Sequence, residues 1–177
     1  MDRVILPISG WMGSGKDTFG KFLKELAPQD VEILQFSTAL KEMAAFLLDV
    51  PVEKFADREF KEKHRLFLQR LGTDVFRKQV DMNWWVKQLI HKISYTEKKI
   101  IVITDVRFPN EIQWLQEVFG ENVRPIRIVR HTGKAEKHHI SETALDDWTD
   151  WWLTIYNSNS LADLQATAEG IMGFLKK

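Results

Sequence analysis

Hydrophobic and polar positions along the chain alternate between two spacings. Val4–Ile8 is a short apolar run bounded by Ser9 and Gly10, which predicts a buried strand. Phe19, Phe22, Leu23 and Leu26 recur at helical spacing until Pro28 stops them. Val31–Phe36 reads as a second strand. Leu40–Leu48 reads as a helix halted by Val50-Pro51, because a residue before proline avoids the helical region. Phe60–Leu71 and Val75–Ile93 predict two helices broken at Gly72. Lys99–Thr104, with five consecutive β-branched residues, predicts a strand, and Asn110–Phe119 a helix with Ile112, Leu115 and Phe119 on one face. Pro125–Val129 and Trp151–Ile155 predict strands. A last helix runs from Leu161 with Leu164, Ala168, Ile171 and Leu175 on its inner stripe.

Strands spaced by helices predict an α/β fold, a parallel sheet with helices on its faces. The 177 residues suffice for one domain with a sizeable core. Two longer excursions, 37–98 and 131–150, follow the carboxyl ends of strands, where open α/β sheets place their ligands. Both are expected to be substrate-facing lobes of that single domain.

Charge and composition narrow the chemistry. The 25 basic and 25 acidic residues cancel, so no nucleic-acid polymer and no anionic membrane is expected as partner. The absence of cysteine excludes disulfides, thiol nucleophiles and zinc–thiolate sites. No apolar run approaches the roughly 20 residues that cross a bilayer, and the first residues lack the pattern of a signal peptide. The expected location is the cytoplasm.

The segment G-W-M-G-S-G-K-D-T supplies candidate chemistry. Gly10, Gly15 and Lys16 satisfy G-x-x-x-x-G-K between a strand and a helix. In such a phosphate loop Gly13, Ser14 and Gly15 turn successive N–H groups inward. The helix start adds its positive dipole end, and Lys16 brings a mobile charge to the β- and γ-phosphates. The next residue is Asp17 rather than the customary hydroxyl. A carboxylate beside a triphosphate is repulsive without a metal between them. Asp17 is therefore a magnesium ligand, directly or through water, or a first-turn acid complementing the helix dipole. Thr18 offers a hydroxyl one place late.

Four segments occur in order: G-S-G-K-D-T, L-Q-R-L-G-T-D-V-F-R (Leu68–Arg77), I-T-D-V-R-F-P-N-E (Ile103–Glu111) and Y-N-S-N-S-L-A-D-L (Tyr156–Leu164). Together they resemble the phage-encoded deoxynucleoside monophosphate kinases, a branch of the P-loop nucleoside-monophosphate-kinase superfamily, over essentially the whole chain. The resemblance implies a three-layer P-loop NTPase fold, an inserted NMP-binding lobe after the second strand and a lid after the fourth. It implies transfer of the ATP γ-phosphoryl group, with magnesium, to a deoxynucleoside monophosphate for dNTP synthesis, in a host cytoplasm. Rival readings are another small-molecule kinase, of dephospho-coenzyme A or phosphomevalonate type, and a regulatory protein that binds ATP without transferring phosphate. The phosphomevalonate type also carries a G-K-D loop.

Phosphoryl transfer asks for positioning and charge neutralisation. Asp105 suits a magnesium or substrate contact, or a cap for the helix near Pro109, with Asn110 an alternative cap. Arg107 is the leading candidate for the acceptor phosphate, and Arg130, entering the lid segment with Lys134 and Lys137, for clamping the transferring group. Arg127 ranks below them, and His138 and His139 read as a solvated pair. In the inserted lobe Arg58, Lys61 and Arg65 share helical spacing, followed by Gln69, Thr73 and Arg77. Gln69 offers an amide to a base edge. Of Trp84 and Trp85, about 100° apart on a helix, at most one faces a site. Trp84 is the substrate candidate, and seven tryptophans in a small chain leave room for a homodimer. Glu142 is expected to pair an arginine or cap a helix. Asn157 resembles the adenine-side loop of the superfamily.

Overall fold

The computed structural model describes residues 3–130 and 140–176, which form two compact units, Met1–Gln35 with Thr96–Lys177, and Phe36–Tyr95.

The first unit is built on a five-stranded sheet in the order β2-β3-β1-β4-β5, with every pairing parallel. In chain order its elements are β1 (Val4–Ser9), α1 (Lys16–Leu26), β2 (Val31–Leu34), β3 (Ile100–Ile103), α6 (Pro109–Phe119), β4 (Ile126–Val129), α7 (Ile140–Thr143), β5 (Leu153–Tyr156) and α8 (Leu161–Leu175). Parallel strands covered on both faces must be apolar throughout, and the buried I-I-V-I of β3 meets that demand. Strand β1 lies at the centre with Ile5, Leu6 and Ile8 fully buried. Phe19 and Leu23 of α1 share a core cluster with Leu164, Ala168, Ile171 and Met172 of α8. Leu175, expected on the inner stripe, packs at its margin, and Met172 takes the inner place.

Helix α6 starts with Pro109, whose missing N–H costs nothing at a helix start. Phe108, not Asp105 or Asn110, stands at its N-cap, and the Glu111 side chain reaches back to the start of the helix. That carboxylate, in a residue only 1% exposed, accepts from the Arg107 amide at 2.7 Å and the Phe108 amide at 3.0 Å.

The second unit contains α2 (Phe36–Leu48), α3 (Arg58–Lys63), α4 (Arg65–Gln69), a π-helix (Arg70–Val80) and α5 (Trp84–Tyr95). Its core gathers Ala44, Ala45, Phe55, Leu68 and Leu71. Two expectations are corrected here. The expected strand Val31–Phe36 ends at Leu34, and Phe36, which is buried, instead opens α2. A short apolar run fits strand and helix alike, so its spacing did not decide between them. Gly72 does not break a helix either. The backbone stays helical through it with wider i→i+5 bonding, and Gly72 is buried. A Cβ there would lie 3.2 Å from Leu40 Cδ2, and its carbonyl accepts the Trp85 indole N–H at 2.9 Å. Packing against Leu40 leaves little room for a side chain at that position. The break falls at Asp81, whose carboxylate takes the Asn83 amide at 2.8 Å and Lys87 Nζ at 2.7 Å.

The Glu111 cap generates a test. Glu111→Ala leaves two amides near the strand end without their acceptor and is expected to cost about 1–3 kcal/mol in urea unfolding. Glu111→Gln, which keeps an acceptor oxygen, loses less.

Candidate active site

The loop from Gly10 to Gly15 leaves β1 at its carboxyl end and enters α1. Crowding dictates its glycines. At Gly10 a Cβ would run into the Ile128 carbonyl oxygen of β4, and the φ of 150° is one L side chains rarely adopt. Gly15 caps α1 with φ 101°, and a Cβ there would lie 2.6 Å from Asn157 Nδ2. That amide, just past β5, donates to the Ser14 carbonyl at 2.8 Å. Asn157 therefore braces the loop through its side chain.

The loop folds around Lys16. Its ammonium donates to the Gly10 carbonyl at 2.7 Å and the Trp11 carbonyl at 2.9 Å. Burial, and after it the charge of Arg107, lowers the lysine pKa against the opposing pull of Glu142, Asp17 and Asp105. The hydroxyl of Ser14, a residue 1% exposed, is buried with no hydrogen-bond partner among the described residues. An orphaned donor inside a glycine-rich loop suits a ligand oxygen.

Asp17, in the first turn of α1, presents Oδ1 to the Thr104 hydroxyl at 2.8 Å and to Gln35 Nε2 at 3.3 Å. Thr18 follows it on α1, and Asp105 follows Thr104 beyond β3. Among the described residues no three His, Cys, Asp or Glu side chains form a metal cage. Magnesium on a nucleotide needs only one or two carboxylates, with phosphates and water completing its shell. The donors Asp17, Thr18 and Asp105 therefore fit that ion.

Arg107 pairs with the Glu142 carboxylate and donates to the Ser141 carbonyl at 3.2 Å. The second Glu142 oxygen accepts the Met12 amide of the loop at 3.2 Å. Glu142 thus pairs an arginine, as expected, and also touches the phosphate loop. Four residues on, Asp146 Oδ1 accepts from Trp11 Nε1 at 3.0 Å and Arg127 Nη2 at 2.9 Å. Arg127 also donates to the Leu145 carbonyl at 2.6 Å and stacks over Trp151. Arg130 is exposed at the end of β4. Lys134, Lys137, His138 and His139 lie outside the described residues, as does the first part of the expected lid segment 131–150.

In the second unit the expected basic face is interrupted. Helix α3 ends before His64, and Arg65 opens α4, where it pairs with Glu62 at 2.6 Å. Arg58 and Lys61 are exposed on α3, Gln69 ends α4, and Thr73 and Arg77 belong to the π-helix. Arg77 donates to the Met82 carbonyl at 3.4 Å. Trp85 is the buried member of the tryptophan pair, while Trp84 is half-buried with its ring centroid 5.4 Å from that of Phe76.

Sequence reasoning did not single out Gln35, Thr104, Trp11 or Asp146. Gln35 and Thr104 each follow a parallel strand directly, and that position was the available signal.

The family model for phosphomevalonate kinase matches residues 8–121. A protein of Ictalurid herpesvirus 1 (strain Auburn), "Uncharacterized protein ORF77", is 36% identical over 152 residues, 82% of this chain and 60% of that protein. The chain thus spans 60% of that relative's length. Among solved structures, a gluconokinase from Sinorhizobium meliloti 1021 superposes with TM-score 0.55 at 14% identity, covering 98% of this chain and 93% of that one. The Mycobacterium tuberculosis APS kinase CysC, in complex with AMPPNP and APS, gives 0.53 at 10% identity, covering 99% and 98%. These structures share the fold, an α/β P-loop kinase architecture with a central parallel sheet flanked by helices. The match to residues 8–121 establishes more than the fold: the chain belongs to the phosphomevalonate kinase family.

Proposed function

We propose that this chain transfers the γ-phosphoryl group of ATP to a small phosphomonoester, a deoxynucleoside 5′-monophosphate, giving the diphosphate. The observation that carries the reading is the place of Glu142. Its carboxylate lies between the Met12 amide of the phosphate loop and the Arg107 guanidinium. A pocket that already holds one anion between loop and arginine has the electrostatics for a phosphate.

In this reading the loop amides, the Ser14 hydroxyl and Lys16 receive the ATP phosphates, and Arg107 receives the acceptor phosphate. An acceptor phosphate oxygen forms a bond to the γ-phosphorus as the bond from that phosphorus to the β,γ-bridging oxygen breaks. ADP leaves with the electron pair, and a dianionic acceptor requires no general base. Asp17, Thr18 and Asp105 would hold magnesium, which when bound neutralises charge on the triphosphate. Arg130 approaches the transferring group from the end of β4, and Asn157 keeps the loop in shape. Arg58, Lys61, Arg65, Gln69, Thr73, Arg77 and Trp84 of the second unit are assigned to acceptor binding. The amide of Gln69 and the ring of Trp84 suit a nucleobase better than an aliphatic acid.

The family match favours a second acceptor, phosphomevalonate, which is also a phosphomonoester. The acceptors separate by assay. ADP release with magnesium-ATP is expected with one or more of dGMP, dTMP, dCMP and dAMP, and less with their ribose counterparts, phosphomevalonate or dephospho-coenzyme A. Turnover with phosphomevalonate alone transfers the assignment to that substrate, and silence with every acceptor overturns the kinase reading.

Two substitutions test the roles. Lys16→Met is expected to lower kcat by about 10²–10³-fold, because one preorganised donor to developing charge is lost. Arg107→Ala is expected to lower kcat/KM for the acceptor by roughly 10³-fold while calorimetric ATP binding changes little. Equal loss for both substrates would place Arg107 on the nucleotide instead.

A further inference from the structure

The carboxylate that follows Lys16 is held in one orientation. Asp17 Oδ1 is 2.8 Å from Thr104 Oγ1 and 3.3 Å from Gln35 Nε2, and those two donors are 2.9 Å apart. The protons of this triangle have a single assignment. An ionised carboxylate only accepts, an amide nitrogen only donates, and a hydroxyl has one proton to give. Gln35 therefore gives one N–H to Thr104 and the other to Asp17, and Thr104 gives its proton to Asp17. Turning the Gln35 amide over would set its oxygen against the carboxylate. Asp17 Oδ2 makes no hydrogen bond among the described residues.

The backbone is built to close this triangle. Strands β2 and β3 pair with Leu34 opposite Ile103, so Gln35 and Thr104 continue the register beyond the strand ends. Thr104 is 1% exposed, which keeps its hydroxyl away from competing water. Helix α1 comes unusually near: a Cβ on Gly20, one turn after Asp17, would lie 2.6 Å from Thr104 Cγ2. Only a residue without a side chain lets α1 approach the end of β3 closely enough for Oδ1 to reach the hydroxyl.

We propose that Thr104 and Gln35 are positioning residues for Asp17. They occupy one carboxylate oxygen and so reserve the other, Oδ2, for the divalent cation that accompanies the nucleotide. The inference rests on the reading of Asp17 as cation-linked. It explains how a loop can place a carboxylate beside a triphosphate: Thr104 and Gln35 hold the side chain in one orientation with one oxygen already engaged. Partners that orient a ligand in this way typically affect metal affinity by about 10–100-fold.

The test follows Mn²⁺ binding to the protein–AMPPNP complex by EPR, with circular dichroism melting as a control for folding. Thr104→Val, which keeps the shape and removes the hydroxyl, is expected to weaken Mn²⁺ by about tenfold or more. Thr104→Ser restores the affinity. Gln35→Met, at a partly exposed position, weakens it less and keeps the test open if Thr104→Val does not fold. AMPPNP binding without metal stays unchanged in all three. If Asp17→Asn weakens Mn²⁺ but Thr104→Val and Gln35→Met do not, the triangle is a structural clasp and the proposal fails. If Asp17→Asn itself leaves Mn²⁺ binding unchanged, the cation-linked reading of Asp17 fails beneath it.

Discussion

The seating of helix α1 without intervening side chains is the constraint on which the site depends. Gly10, Gly15 and Gly20 fall five residues apart, and each faces a different strand end. A Cβ on Gly10 would strike the Ile128 carbonyl of β4, one on Gly15 the Asn157 amide after β5, and one on Gly20 the Thr104 methyl after β3. The turn and the first turns of the helix thereby rest directly on three of the five strands. Close seating brings the ends of those strands within hydrogen-bond reach of the loop. It is why Asn157 can hold the Ser14 carbonyl and Thr104 can hold Asp17. Close packing also leaves little freedom for compensating shifts, so these contacts hold the shape of the loop.

The contacts also show which parts of the molecule were legible in the sequence. The strands of the sheet announced themselves as short apolar runs because both of their faces are covered, and helices α1, α6 and α8 by the period that burial of one face imposes; only the residues at their ends moved. The phosphate loop was legible because glycine spacing and lysine position encode a backbone shape. Tertiary choices were not. Whether Phe36 ends a strand or opens a helix depends on what covers it, and Gly72 serves packing against Leu40 and Trp85 where local propensity suggested a break. The Glu111 cap has capping-box spacing without the Ser or Thr that usually marks it, since Phe108 stands at the N-cap, and the Asn157 brace depends on a distant partner that no spacing rule supplies. Substrate was harder still. The G-K-D loop is common to deoxynucleotide and phosphomevalonate kinases, so motifs in the phosphate half could not separate two phosphomonoester acceptors. The match to the phosphomevalonate kinase family accordingly supports the reaction class more directly than the base.

Electrostatics links the loop to the segment beyond β4. Lys16 is held below its ordinary pKa mainly by burial, with Arg107 adding to the effect, so two cations are kept close in a partly desolvated place. Glu142 offsets them. Its side chain is 15% exposed against 38% for Arg107, and it spans Arg107 and the Met12 amide while Asp146 takes Trp11 and Arg127. The anionic side chains on this segment therefore stand where the loop and its arginines present donors.

That arrangement sets the energetics of substrate entry in the proposed reaction. For Arg107 to bind an acceptor phosphate it must exchange a carboxylate for another anion, so the desolvation of the guanidinium is largely met before binding. The exchange then depends on the difference between partners. A phosphate brings up to two charges and three oxygens against one charge and two oxygens, and the guanidinium fork suits it well. With Glu142 15% and Arg107 38% exposed, the attraction within the existing pair is itself offset by the desolvation of both groups, which limits how strongly it opposes the exchange. Glu142 can hold Arg107 in place without outcompeting a phosphorylated acceptor, which reconciles a preformed arginine with a site that must still open to its substrate.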